Sequence, residues 1–291
     1  MRRQEDFGYF HVCTDGTAVP WMFQDDKDFI AGVNRIAICY LKTGAEVLAY
    51  VLMDNHVHFV LYGTMPQCKE FITLYKRLTG KWIQVRYGVS DFLRLLPTDI
   101  LRIDTDERLL NTLAYIDRNS LIAGYSYLAG EYPWGSARYL FKDNLEFKNS
   151  RFVSSISLRE QRSLFSTRVH IPDTWKFDNA GMICPLSYID VKKVESYFKT
   201  PIRYSYFLSK KLEGIVEQEF AHSQKSFIPD KELRQIVRDI AQKKYGVSKV
   251  GELDVNSRLS IARKLRYDYA SSVKQISRML GLEKDVLQGF I

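Results

Sequence analysis

The first 120 residues alternate between two hydrophobic rhythms. Residues 7–14 carry Tyr9, Phe10, Val12 and Cys13 in a short apolar run that reads as a strand, closed by a turn at Asp15-Gly16-Thr17. Asp25-Asp26-Lys27-Asp28 then gives an acid-rich helix start, and Phe29, Val33, Ile36 and Tyr40 form a stripe at helical spacing that Gly44 ends. Two further apolar runs, 45–52 and 56–62, flank the turn signal Asp54-Asn55 and predict a β-hairpin. Residues 67–87 return to helical spacing through Phe71, Leu74, Tyr75, Leu78, Trp82 and Val85. Residues 100–105 read as another strand. A helix follows to about Ser120, opened by Asp104-Thr105-Asp106-Glu107 and buried along Leu109, Leu113 and Ile116. The order β-α-β-β-α-β-α predicts an α+β domain: a ferredoxin-like antiparallel sheet with helices on one side. The irregular stretch Glu131-Tyr132-Pro133-Trp134-Gly135-Ser136-Ala137 predicts the end of this domain near residue 145.

The rhythm loosens afterwards. Residues 146–224 read as a connecting, mainly helical region, with Val191, Val194, Tyr197 and Phe198 before Pro201 and Ile202, Tyr204 and Phe207 after it. From 225 the chain turns basic, with 14 Lys or Arg against 8 Asp or Glu in 225–291. Helices are expected over Leu233–Tyr245 and Ser257–Tyr269. A short helix from Ser272, a turn at Gly281 and a second helix from Glu283 then make a helix-turn-helix pattern. This predicts an all-α C-terminal domain that touches DNA phosphates.

Composition narrows the class. The formal charge is +8, which favours a polyanionic partner. The four cysteines are widely spaced with no C-x-x-C pair, which argues against a zinc ribbon or redox dithiol and suits a reducing cytoplasm. No apolar run approaches a membrane span, so a soluble, cytoplasmic protein without membrane contact is expected. The basic side of helix 67–87 (Lys69, Lys76, Arg77, Lys81, Arg86) is the first candidate in the N-terminal part for phosphate contact.

The candidate chemistry lies in the hairpin. His56 and His58 are two apart on a predicted strand, so both side chains point to one face, where two imidazoles can share a divalent ion. A pair of strand histidines bonded to ordinary neighbours is the bland alternative, and His11 is assigned to the sheet without a role. Tyr115 and Asn119 are four apart on the helix after the last strand, hence neighbours on one helix face. With Mg²⁺ or Mn²⁺ at the histidines, Tyr115 is placed as a nucleophile toward phosphorus and the Asn119 amide oxygen as a third ligand.

The run Tyr50-Val51-Leu52-Met53-Asp54-Asn55-His56-Val57-His58-Phe59 closely resembles the metal-binding segment of single-tyrosine HUH transposases. So does Leu110-Asn111-Thr112-Leu113-Ala114-Tyr115-Ile116-Asp117-Arg118-Asn119, with Ala123-Gly124 and Tyr132-Pro133-Trp134-Gly135-Ser136 after it. The likeness is greatest to the repeat-associated tyrosine transposases, covers about residues 5–142 and keeps the family's order. It implies an HUH nuclease core over 1–145, His56 and His58 as metal ligands, Asn119 as the third, and Tyr115 as the nucleophile. The implied activity cuts and rejoins single-stranded or hairpin DNA through a 5′-phosphotyrosine. Two departures from the pattern occur: Asp54 replaces the usual proline before Asn-His, and Ser120-Leu121-Ile122 changes the helix exit. Residues 225–291 loosely resemble the DNA-binding domain of the replication initiator DnaA, which implies duplex or hairpin contact. The alternative is a domesticated, non-cleaving DNA-binding regulator; a structural zinc protein lacks a four-ligand set. Monomer and homodimer both stay open.

Overall fold

The computed structural model describes residues 6–16, 19, 21–89, 93–123, 127–142, 147, 149–210, 230–247, 249–269, 271, 273–283 and 286–287. Two compact units divide the chain, Met1–Val216 and Glu217–Ile291.

The first unit is α+β. In chain order its main elements are β1 (Gly8–Thr14), α1 (Asp26–Thr43), β2 (Glu46–Leu52), β3 (Val57–Gly63), α2 (Met65–Tyr87), β4 (Thr98–Ile103) and α3 (Asp106–Ile122). The four strands form one sheet in the order β2-β3-β1-β4, and every pairing is antiparallel. This is the split connectivity that a β-α-β-β-α-β order produces when β1 inserts between β3 and β4.

Local chemistry sets the helix limits. The Asp25 side chain caps α1 by accepting from the Asp28 amide, and Gly44, at φ 68, ends it in the left-handed conformation that costs glycine little. Thr64 and Gln67 form a capping box at the start of α2, with Pro66 in its first turn, and the Thr105 side chain caps α3.

Strand alternation decides what each face of the sheet carries. Directly paired residues share a face, so Phe10, Val12, Tyr50, Phe59 and Leu61 lie together. The Phe59 ring meets Phe71 and Tyr75 of α2 at 5.4 and 5.1 Å, which puts α2 on this face, packed beside α1. His11, Val51, His58 and Val60 occupy the other face. The rings of His11 and His58 touch Tyr115 of α3 there. The expectation of helices on one side alone is therefore corrected: α1 and α2 cover one face and α3 the other. The same alternation removes the basic side of α2 from the histidine face. Lys76 and Arg86 also serve the fold, Lys76 donating to Leu96 O and Thr98 Oγ1 and Arg86 pairing with Asp25 and Asp28.

The segment Tyr132–Ser136 has a structural task. Tyr132 OH donates to Leu52 O, Leu52 N to Trp134 O and Tyr50 N to Ser136 Oγ, while Val51 and Gly135 form a β-bridge. The segment thus covers the outer edge of β2, whose free backbone groups would otherwise invite another strand. Trp134 also stacks on Phe29 of α1 at 4.9 Å.

Residues 149–209, expected within a connecting region that begins at 146, belong to the compact unit that runs to Val216. They include β5 (Arg151–Phe152), α4 (Leu158–Leu164), β6 (Lys176–Phe177), α5 (Val191–Phe198) and α6 (Pro201–Ser209), all within the first unit. Asn34 of α1 holds this layer with both ends of its amide, donating to Gly181 O and accepting from Ile183 N. Tyr204 of α6 donates to Asp117 of α3. Side-chain bonds of this kind leave no pattern in the hydrophobic rhythm.

The second unit is helical: α7 (Asp230–Tyr245), α8 (Val255–Asp268) and α9 (Val273–Leu280), around a core that includes Leu233, Val237, Ile261, Leu265, Ile276 and Leu287. Gly281, at φ 61, turns the chain after α9. Much of the second half of the expected helix-turn-helix lies outside the described residues. No described helix is long and apolar enough to cross a membrane.

Candidate active site

The β2–β3 hairpin turns over Met53–His56, with Met53 N donating to His56 O. β3 begins at Val57, so His56 belongs to the turn rather than to the strand expected from 56 onward. Val57 N donates to Thr14 Oγ1, which ties the turn to the end of β1. His56 and His58 still come together, with ring centroids 5.0 Å apart.

The hydrogen bonds around His56 settle which nitrogen carries its proton. Asn55 Nδ2 donates to Gly16 O at 2.7 Å, which turns Asn55 Oδ1 toward His56 Nδ1 at 2.8 Å. An amide oxygen only accepts, so Nδ1 holds the hydrogen and Nε2 presents a lone pair. Burial keeps the ring neutral by lowering its pKa, opposed first by the Asn119 contact. The Nε2 lone pair meets Asn119 Oδ1 at 3.2 Å, which brings two acceptors face to face. A cation between them relieves that contact, as does a half-turn of the Asn119 amide. A Cβ at Gly16 would lie 2.8 Å from His56 Nδ1, so any larger residue there must displace the ring.

His58 is buried. Its Nδ1 is 3.1 Å from Nε2 of His11, a diagonal neighbour across β1 and β3. Burial, with the Arg108 charge adding to it, depresses the His11 pKa to about 3, so its ring stays neutral and can accept a hydrogen bond. The His58 pKa is lowered well below its usual value by burial, and the neighbouring imidazoles add to the effect. When His58 Nδ1–H donates to His11, the His58 Nε2 lone pair is left for a ligand. His11 is the residue the sequence reading passed over. Its strand was legible, but the register that sets it diagonal to His58 appears only in the folded sheet.

α3 supplies the remaining groups. Tyr115 and Asn119, one turn apart, both lie against the sheet. The Tyr115 ring sits edge-on at 5.6 Å from His58 and 6.0 Å from His11, and Tyr115 is 7 % exposed. His56, His58, Tyr115 and Asn119 thus gather on one face of the sheet. Two imidazoles and an amide oxygen can hold a hard or borderline divalent ion. The described residues contain no group of three or more His, Cys, Asp or Glu placed to hold a metal, so any cation here depends on the amide. All four cysteines are buried thiols, outside this set.

The second unit carries a different feature. Arg234 and Arg238 of α7 and Arg278 of α9 line one cavity of about 190 Å³, with Val237, Val250 and Met279. Arg258, one of the basic residues on α8, instead donates to Leu280 O within the fold.

No family model, curated protein or solved structure matches the chain.

Proposed function

We propose that the chain is a metal-dependent, transposase-like enzyme that cleaves and rejoins single-stranded or hairpin DNA through a 5′-phosphotyrosine. One observation carries this reading: His56 and His58 of the hairpin meet Tyr115 and Asn119 of α3 on one face of the sheet. That is the set implied by the resemblance to single-tyrosine HUH transposases, and it assembles from segments about 60 residues apart.

The donor set fits a divalent cation, Mg²⁺ or Mn²⁺, which His56, His58 and Asn119 would hold. When bound, such an ion would stabilise charge gathering on a phosphate oxygen. The chain's own residues do the rest. Asn55 fixes the His56 ring, and His11 Nε2 accepts a hydrogen bond from His58 Nδ1–H. Tyr115 Oη bonds to phosphorus as the bond from phosphorus to the 3′-oxygen breaks. The phenol loses a proton and the departing 3′-oxygen gains one, leaving a free 3′-hydroxyl. The reverse attack by a 3′-hydroxyl rejoins the strand without an external energy source. In the second unit, Arg234, Arg238 and Arg278 are the groups proposed to contact DNA phosphates.

The alternative, a non-cleaving DNA-binding regulator, draws on the burial of Tyr115, which limits access of a phosphate to its hydroxyl. A labelled hairpin oligonucleotide with Mn²⁺ separates the two. The enzyme gives a denaturation-resistant protein–DNA adduct that Tyr115→Phe abolishes while leaving DNA binding unchanged. If the wild-type chain binds hairpins but forms no adduct on any of them, the regulator reading replaces the enzyme.

A further inference from the structure

A second candidate site lies away from the histidines, among the elements that pack with α1 and α2. It is a cavity of about 210 Å³ whose wall includes Lys27, Asn34 and Arg35 of α1, Trp82 of α2, Phe165 and Gly181.

Arg35 is the unusual member. It is 7 % exposed, yet its guanidinium makes one hydrogen bond among the described residues, from Nη1 to Ala31 O, and its buried Nε has no partner among them. It forms no ion pair with a described carboxylate. The acid nearest in sequence, Asp28, is engaged by Arg86, Trp82 Nε1, Tyr87 OH and Gln24 N. The Arg35 guanidinium lies over the Trp82 ring at 5.0 Å, which offsets only part of the cost of burying a cation. Burial draws its pKa down to about 10, with the opposing influence coming first from Tyr75, then Cys39 and Asp28. A buried charge without a counterion is destabilising, and proteins commonly offset that cost with a partner.

The cavity wall is held in place. The two hydrogen bonds of the Asn34 amide fix the loop around Gly181, at 2.8 and 2.7 Å. Gly181 has φ 84, and a Cβ there would approach Leu164 Cδ1 to 2.7 Å, so the loop can pass this close only as glycine.

We infer that this cavity binds a small organic anion, a carboxylate or a phosphate monoester, with its charge on Arg35 and its apolar body against Trp82 and Phe165. Arg offers a planar fork of donors that suits either group. Lys27, exposed at the cavity, adds a second positive charge. The volume is below the range of about 300–1,000 Å³ usual for drug-sized ligands, which limits the body to about one ring. The site does not depend on the proposed DNA chemistry.

Benzoate and phenyl phosphate are the probes, titrated into the full chain by calorimetry and by thermal melting, with chloride at matched ionic strength as the control. At least one probe binds saturably at millimolar concentration or below and raises the melting temperature. Arg35→Met keeps a long side chain over Trp82 and removes the charge; it weakens binding by about tenfold or more, the scale of one lost charge-assisted bond. Without a probe it melts no lower than the wild-type chain. Ala31→Leu, which fills the cavity and leaves Arg35 in place, also blocks binding and serves if Arg35→Met does not fold. Absence of saturable binding by either probe overturns the inference. So does equal protection of the wild-type chain and either variant.

Discussion

The two faces of the first sheet use the same four strands for opposite purposes. Toward α1 and α2 the strands present Phe10, Val12, Tyr50, Phe59 and Leu61, and the Phe59 ring closes against Phe71 and Tyr75. Toward α3 the same strands present His11 and His58, and the covering helix brings Tyr115 and Asn119. One residue along a strand separates His58 from Phe59. The backbone cannot tell the faces apart, so the division of labour rests on alternation alone. The apolar face supplies hydrophobic stabilisation that lets the other face bury imidazoles, amides and a carboxyl group, each at a cost.

Cavity formation is the strongest way to test this division. Phe59→Ala removes a fully buried ring and should cost about 3–5 kcal/mol, a large share of a typical domain's stability. Tyr115→Phe keeps the ring on the α3 face and opens no cavity, so it should cost about 1 kcal/mol or less. Urea midpoints at unchanged slope measure both. Equal losses would show that the α3 face is as much a structural core as the other, and the comparison would fail.

Asp117 tests the cost of polarity around α3. It is 4 % exposed, its Oδ2 accepts from Tyr204 OH at 2.8 Å, and its buried Oδ1 has no partner among the described residues. Burial raises its pKa to about 7, only partly opposed by the Tyr204 bond. The unfolded chain ionises this group near the ordinary aspartate value of 3.8 while the folded chain still holds the proton. Stability therefore falls as the pH rises from about 4 toward 7, by an amount on the order of a few kcal/mol. Relative to the wild-type chain, Asp117→Asn should therefore gain stability as the pH rises from about 4 to 7 in denaturation curves. A difference between variant and wild type that does not change with pH would place the titrating group elsewhere.

The histidines predict the opposite slope. His11 has its pKa lowered from 6.5 to about 3 by burial and Arg108, with His58 and Tyr115 also against its ring. Its contribution is complete above pH 6.5 and is lost as the pH falls toward 3, because the unfolded chain takes up the proton first. The loss amounts to roughly 2 kcal/mol by pH 5, at about 1.4 kcal/mol per pH unit. Relative to the wild-type chain, His11→Gln should gain stability as the pH falls from about 6.5 to 4, and in the double variant with Asp117→Asn the two differences should add. A double variant that departs from additivity would show that the two sides of α3 are not independent.

These residues also show what the sequence could reveal. Strand and helix order follow from local rhythm, so the sheet and the polarity of β3 were legible, and Tyr115 and Asn119 follow from helical spacing. The role of His11 was not, because register is a property of the folded pair of strands. The placement of α3 opposite α2 depends on the connection after β4, which periodicity does not specify. The packing of residues 149–209 was not legible for a similar reason. They pack through side-chain bonds such as Asn34 to Gly181 and Tyr204 to Asp117, made between segments far apart in sequence.

The smallest perturbation expected to separate the faces is a single methyl group at Gly16. The added Cβ would lie 2.8 Å from His56 Nδ1 and 3.2 Å from Asn55 Oδ1. Neither contact touches the apolar face, so Gly16→Ala should leave the urea midpoint within about 1 kcal/mol of the wild-type value. The ring of His56 must nevertheless move, and with it the nitrogen that faces Asn119. If that nitrogen holds a cation, Mn²⁺ affinity should fall by about 10- to 100-fold, as when a group orienting a metal-bound histidine is lost. Titration of Mn²⁺ followed by electron paramagnetic resonance reads the affinity directly, without DNA and without turnover. Unchanged affinity beside an unchanged fold would mean that His56 is not a ligand, and the α3 face would then be a buried polar layer rather than a metal site.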